Sequence, residues 1–236
     1  MIRKRFTMRE TIATILADTE EHSEAARQGL IVARREVEHY IAKDPYFALT
    51  FEPYEVKTDL QTVRRMSEAA KFAGVGPMAA VAAAIAWAGV EEMVKAGATF
   101  GLIDNGGDIA FITDREIRVG IHAGDAELSN RLAFTIPPGE GICGICTSSA
   151  TVGHSFSFGI ADSVTVFSPN PACADAWATS ICNRITIEER DLLTHLPLKG
   201  VTGVFIILGG VSISYGRLPR IIRADVDEDL ITGGLF

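Results

Sequence analysis

The chain has 236 residues, with 22 Lys+Arg against 30 Asp+Glu and a formal charge of −8. Apolar residues make up 47% and mean hydropathy is +0.21, which excludes a disordered chain. The acidic balance, without any Lys/Arg stripe, speaks against a nucleic-acid partner.

In chain order, Arg5–Thr11 and Ile12–Ala17 carry β-rich residues and predict one bent strand or a hairpin. Met1–Glu20 holds no apolar run of the signal-peptide kind, so a cytoplasmic location is expected. Glu24–Lys43 predicts a long helix, because Leu30, Val37, Tyr40 and Ile41 recur near the 3.6 period among charged residues. Ser23 is the candidate N-cap. Asp44-Pro45 ends the helix, since a proline disfavours the α region for the residue before it. Phe47–Phe51 reads as a short strand, and Leu60–Ala70 begins a helix that Gly74-Val75-Gly76-Pro77 interrupts. Pro77 suits the first turn of a second helix running to about Lys95.

That stretch contains Phe72–Val90, 19 residues without a charge. Its length would span a bilayer. Eight of the 19 are Ala, however, and Ala adds little transfer energy, so a buried helix and no membrane segment is the reading.

The second half reads mainly as sheet. Phe100–Asp104 precedes the turn Asn105-Gly106-Gly107-Asp108. Ile109–Thr113 and Glu116–Ile121 flank Asp114-Arg115 as a predicted hairpin. Arg131–Ile136 and Asp162–Ser168 are further strands, and Ala172–Asn183 is a helix leading into a helix-like connection up to His195. Val201–Leu208, Ser212–Tyr215 and Ile221–Ala224 complete the sheet. Neither a repeat nor a composition break divides the chain. The expectation is a single α+β domain over 1–236, with an N-terminal α/β portion 1–70 and a core portion 71–236.

Four segments hold candidate chemistry. Gly76 precedes a helix start, where backbone N–H groups attract anions; tight helix packing explains the same glycine equally well. Asn105, Gly106, Gly107 and Asp108 form an ordinary turn or a ligand-lined one. Asp175 and Thr179 lie four apart on one helix face among small residues. A carboxylate and a hydroxyl in a dry setting need partners or a cation, and hard oxygens suit Mg²⁺. Their bland reading is a dipole-complementing Asp and a Thr bonded back to its helix. Thr147, Ser148, Ser149 and His154 form a run of hydroxyls ending in an imidazole. Cys143-Gly-Ile-Cys146 lacks the second pair of a zinc ribbon, so free thiols are expected, together with Cys173 and Cys182.

The order of these motifs resembles the ApbE family, the FAD:protein FMN transferases. NGGD at 105–108, Thr147-Ser148-Ser149 and SVTVFSPNPACADAWATS carry the resemblance over roughly residues 70–185. It implies an ApbE-like (T-fold-related) fold of mixed sheets packed with long helices. It further implies Mg²⁺ on Asp175, Thr179 and the Ala79 carbonyl, and a flavin nucleotide, FAD or FMN, as the small-molecule ligand at Gly106–Asp108. In that reading Asp175 and His154 serve catalysis. Two departures stand out: Ala80-Val81 occupies the place of the family's Lys-Gly pair, and no H-I-I-D-P segment occurs. Three readings stay open: a Mg-dependent FMN transferase or FAD pyrophosphate hydrolase, a non-catalytic ligand sensor or assembly module, and a small-molecule enzyme of a different reaction type in cofactor metabolism. Open strand edges make a homodimer a further expectation.

Overall fold

The structure is a computed structural model that describes residues 1–150, 160–186 and 192–232. The chain opens with a hairpin, β1 (Ile2–Met8) and β2 (Thr11–Ala17), turning at Arg9-Glu10. Helix α1 spans Glu20–Lys43 and starts one turn before the expected place. Thr19 is its cap, accepting the His22 N–H at 3.1 Å, and Ser23 lies buried inside the helix.

The predicted strand at 47–51 is instead the helical turn α2 (Tyr46–Leu49). Pro45 already holds helical φ and ψ, and the turn tucks Phe47 under Tyr40 at 4.9 Å between ring centroids. Helix α3 (Gln61–Ala73) ends at Gly74 in the left-handed region, φ 69°. A short 3-10 turn, Pro77–Ala80, then feeds α4 (Val81–Lys95).

Strands β3 (Gly101–Asn105) and β4 (Asp108–Thr113) form a hairpin around Gly106-Gly107. Both glycines have positive φ, 71° and 98°, as a two-residue hairpin turn with right-handed twist demands. The predicted hairpin across Asp114-Arg115 does not form. β4 is already paired on both edges, to β3 and to β7 (Gly139–Ser148), so β5 (Ile117–Gly120) leaves for a second sheet. Arg115 is held at this crossing by Asp18 and Asp114. There β5 pairs β6 (Leu132–Ile136), which pairs β11 (Arg220–Arg223). The remaining elements are β8 (Ser163–Ser168), α5 (Pro171–Arg184), α6 (Leu192–His195), β9 (Gly203–Leu208) and β10 (Val211–Gly216). The connection expected between 187 and 191 lies outside the described residues.

The main sheet has eight strands, all antiparallel, in the order β1-β2-β3-β4-β7-β8-β9-β10. One face is covered by α1, α3, α4 and α5, and the other by the three-stranded sheet. Alternation along the strands builds both cores: Ile103 and Ala110 face the helices, Leu102, Ile109 and Phe111 the small sheet.

Two features set α4 and α5 close to the sheet. Gly89 of α4 is packed so tightly that an added Cβ would lie 2.4 Å from Ile103 Cδ1, and Gly29 of α1 meets the Ala88 carbonyl at 2.6 Å. Likewise an added Cβ on Gly144 of β7 would lie 2.5 Å from Pro171 Cα, which brings the start of α5 down onto the strand. Asn170 caps α5 by accepting the Cys173 N–H at 3.0 Å. Among the described residues Pro77–Lys95 is the one helical span long and apolar enough to cross a membrane, and half of it is buried, packed between α1, α5 and the sheet.

Candidate functional site

Register places three polar side chains in one row on the helix-covered face. Asn105 pairs with Asp108 across the Gly106-Gly107 turn, and Asp108 pairs with Cys146 on β7. Above this row stands the first turn of α4. Asn105 Nδ2 donates to the Ala82 carbonyl at 2.9 Å, which ties the hairpin to the helix start.

Asp175 enters from α5 and is 7% exposed. Its carboxylate accepts the Ala83 N–H at 3.0 Å and is also bonded by the Ala82 N–H. These are orphan donors of the first turn of α4, so Asp175 caps that helix from a distant part of the chain. The dipole-complementing role expected for Asp175 is therefore present, but toward α4 rather than toward its own helix.

Burial pushes the Asp175 carboxyl up to about 7, against the two amides, which favour the charged form. Asp108 is raised well above the carboxylate range, first by burial, then by the negative charges of Asp175 and Asp104. The Cys146 thiol is raised too, by burial and by both carboxylates. It lies 3.6 Å from the Pro171 carbonyl and within hydrogen-bonding reach of Asp108. Among the described residues, no basic side chain acts on Asp175. The arrangement is a pair of carboxyls under a helix N-terminus, held toward their protonated forms by burial and by each other.

Thr179 sits one turn beyond Asp175 and is partly exposed, and Ala79 is partly exposed in the 3-10 turn before α4. Thr147 points its side chain to the opposite face of the sheet, where its hydroxyl meets that of Thr165 at 2.9 Å; its N–H bonds the Gly107 carbonyl at 3.2 Å and lies within reach of the Asp108 carboxylate. Ser148 ends β7 on the Asp108 side, and Ser149 follows it. His154 lies outside the described residues. Gly76 serves packing: an added Cβ would lie 2.0 Å from the Thr50 carbonyl oxygen. Cys143 and Cys146, three apart on a strand, face opposite sides of the sheet, and all four cysteines are free. Cys146 and Asp104 were not anticipated at the site. Cys146 arrives through the β4–β7 pairing, which has no local sequence signal, whereas Asp104 bonds the Gly107 N–H three residues on, a local Asx pattern the turn sequence could have shown.

Fold and site together define the class. The structure matches the apo form of the Pseudomonas stutzeri flavinyl transferase ApbE with a TM-score of 0.57 at 11% identity, covering 99% of this chain and 98% of that one. The ApbE protein of Thermotoga maritima matches with a TM-score of 0.55 at 14% identity, covering 98% and 99%. The ApbE-like α+β fold expected from the motifs is thus the fold of this chain. Residues 3–199 match the model of the family described as AbpE bacteria. A UPF0280 protein of Methanoculleus marisnigri is 60% identical over 234 residues, covering 99% of this chain and 96% of that protein. The chain belongs to the AbpE and UPF0280 families.

Proposed function

We propose that this protein binds a flavin nucleotide, with the ligand's phosphates held at the Asp175–Asp108 pair through a Mg²⁺ ion. The observation that carries the reading is the buried Asp175 carboxyl with the half-buried Asp108 carboxyl close enough to feel its charge, at the start of α4, where among the described residues nothing basic acts on Asp175. A phosphate cannot approach two carboxylates unaided; a divalent cation between them removes the repulsion and favours their ionised forms. The donors fit a hard cation: the Asp175 and Asp108 carboxylates, the Thr179 hydroxyl and the Ala79 carbonyl. Among the described residues no three His, Cys, Asp or Glu side chains form a cage. That suits Mg²⁺, which keeps waters and phosphate oxygens in its shell. The ApbE fold, shared with a flavinyl transferase, supports flavin as the ligand.

Bound Mg²⁺ would supply Lewis-acid stabilisation of charge on a pyrophosphate. This chain's residues do the rest. Asp175 fixes the start of α4, so the helix N-terminus adds its partial positive charge beside the phosphates. The Gly106-Gly107 turn leaves open space among the described residues, with none of their atoms within 4 Å of where a Gly106 side chain would stand, so a ligand can reach the backbone. On this reading the activity is FMN transfer or FAD pyrophosphate hydrolysis. The second reading, a sensor without turnover, is favoured by Ala80-Val81, which puts no cation at the helix start.

Thermal shift with FAD, FMN and ATP, with and without Mg²⁺, tests the binding. Stabilisation by a flavin that requires Mg²⁺ and is lost in Asp175→Asn is expected. No shift with any flavin at millimolar concentration refutes the proposal. Chromatography for AMP after incubation with FAD and Mg²⁺ separates enzyme from sensor.

A further inference from the structure

The acidic stretch Asp225–Asp229 has the composition of a solvated tail, yet it is docked. After β11 the chain continues beside β6: the Ala224 N–H bonds the Arg131 carbonyl at 3.0 Å and the Val226 N–H the Asn130 carbonyl at 3.0 Å. Val226 packs on Gly120, so closely that an added Cβ there would lie 2.9 Å from its methyls. Asn130 Nδ2 donates to Glu228 at 2.6 Å, and Arg3 Nη2 donates to the Leu230 carbonyl at 2.6 Å. The segment then ends inward. Thr232 is 7% exposed, and its hydroxyl bonds that of Thr14 at 2.7 Å.

Thr14 stands opposite Asp104 in the β2–β3 register, which sets the Thr232 hydroxyl and N–H within reach of the Asp104 carboxylate. Asp104 in turn accepts the Gly107 N–H at 2.9 Å. A chain of polar contacts therefore runs from the C-terminal segment, through Thr14 and Asp104, into the glycine turn between Asn105 and Asp108. The two glycines are the most permissive part of the site, and among the described residues no atom lies within 4 Å of a Cβ added at Gly106. Polar bonds fix the turn: the pairing of Asn105 with Asp108, the Thr147 N–H on the Gly107 carbonyl, and the Asp104 carboxylate on the Gly107 N–H. This latch lies beyond residue 199, where the family match ends.

We infer that Thr232 is a positioning residue: by holding Asp104 it fixes the Gly106-Gly107 turn in the conformation that receives the ligand. The ligand half of this statement rests on the proposed function; the turn half does not.

Amide hydrogen exchange of the full-length chain, read by NMR, tests it. Thr232→Val is expected to speed exchange at Gly107 about tenfold, the loss of one hydrogen bond to a charged acceptor. Ile103 and Ala110, in the same two strands, keep wild-type rates. Thr232→Ser restores Gly107. Asp104→Ala speeds Gly107 as well, and adding Thr232→Val to it changes nothing further. Unchanged Gly107 exchange in Thr232→Val overturns the inference, and so does an equal rise at all three amides, which would mark general destabilisation. In parallel, calorimetric titration of FAD with Mg²⁺ is expected to show about tenfold weaker binding in Thr232→Val and recovery in Thr232→Ser. Wild-type protein that fails to bind FAD removes the proposed function, while exchange still decides the role of Thr232. Equal FAD affinity in wild type and Thr232→Val overturns the ligand half.

Discussion

The carboxylate of Asp175 accepts the backbone N–H of Ala83 at 3.0 Å, across 92 residues of chain. One side chain thereby holds α5 against the start of α4 and carries the charge of the candidate site. On the proposed function the same carboxyl serves both structure and ligand, and variants of Asp175 separate the two.

Asp175→Ala leaves the Ala82 and Ala83 amides unpaired in a buried place. A loss of about 1–3 kcal/mol is expected, by analogy with lost caps and unsatisfied buried donors. Asp175→Asn keeps an acceptor oxygen and should lose less. Urea unfolding of both variants checks the order; equal losses would mean the cap contributes nothing.

The raised carboxyl of Asp175 also sets a pH dependence. Its folded pKa, about 7, lies above the ordinary value of 3.8, so the folded state holds the proton more tightly than the unfolded one. The stability linked to this proton is complete below pH 3.8 and is lost as pH rises through about 7. Without divalent cations, wild type should therefore lose stability relative to Asp175→Asn between about pH 4 and pH 7. The difference between the two proteins is the quantity to measure. Glu24, held down to about 2 by the Arg27 side chain, contributes with opposite sign but equally in both. A flat difference across this window would contradict the assignment.

Gly76→Ala should destabilise by about 1–3 kcal/mol, because the added methyl meets the Thr50 carbonyl oxygen and the backbone must move. Gly106→Ala meets no atom of the described residues within 4 Å, and its cost is the left-handed φ of 71°, about 1–2 kcal/mol. Thermal unfolding of the two variants distinguishes a packing glycine from a turn glycine. On the proposed function, Gly106→Ala also weakens flavin binding, by obstructing the approach to the turn.

Cys143 and Cys146 should not form a disulfide in the folded protein. Residues three apart on an extended strand have Cα atoms about 10 Å apart, beyond the roughly 7 Å limit for a bridge, and these two face opposite sides. Mass spectrometry after mild oxidation of native protein should find neither cysteine joined to the other. Thiol labelling should favour Cys143, since Cys146, Cys173 and Cys182 are buried.

Much of this molecule is set by local sequence. The 3.6 period of α1, the Pro and Gly punctuation around α4, and Asn105-Gly106-Gly107-Asp108 each encode their element through interactions within a few residues. Local sequence misleads where one signal serves two outcomes. Phe47 reads equally as strand or helix until Tyr40 is there to receive it. The Asp114-Arg115 turn looks like a hairpin because the sequence does not show that both edges of β4 are taken.

The acidic, apolar chain and its motifs determined the family and the residues worth testing: Asp175, Asp108 and the glycine turn. Only the tertiary structure decided what they do together. The pairing of β4 with β7 set Cys146 beside Asp108, and the close seat of α5 on Gly144 delivered Asp175 to the amides of α4. The docked C-terminal segment brought Thr232 to Asp104. Such contacts join residues tens to hundreds of positions apart, and burial among them, rather than residue type, raises the carboxylate pKa values. The reason is that desolvation and charge–charge repulsion depend on distance in space, which no local pattern carries.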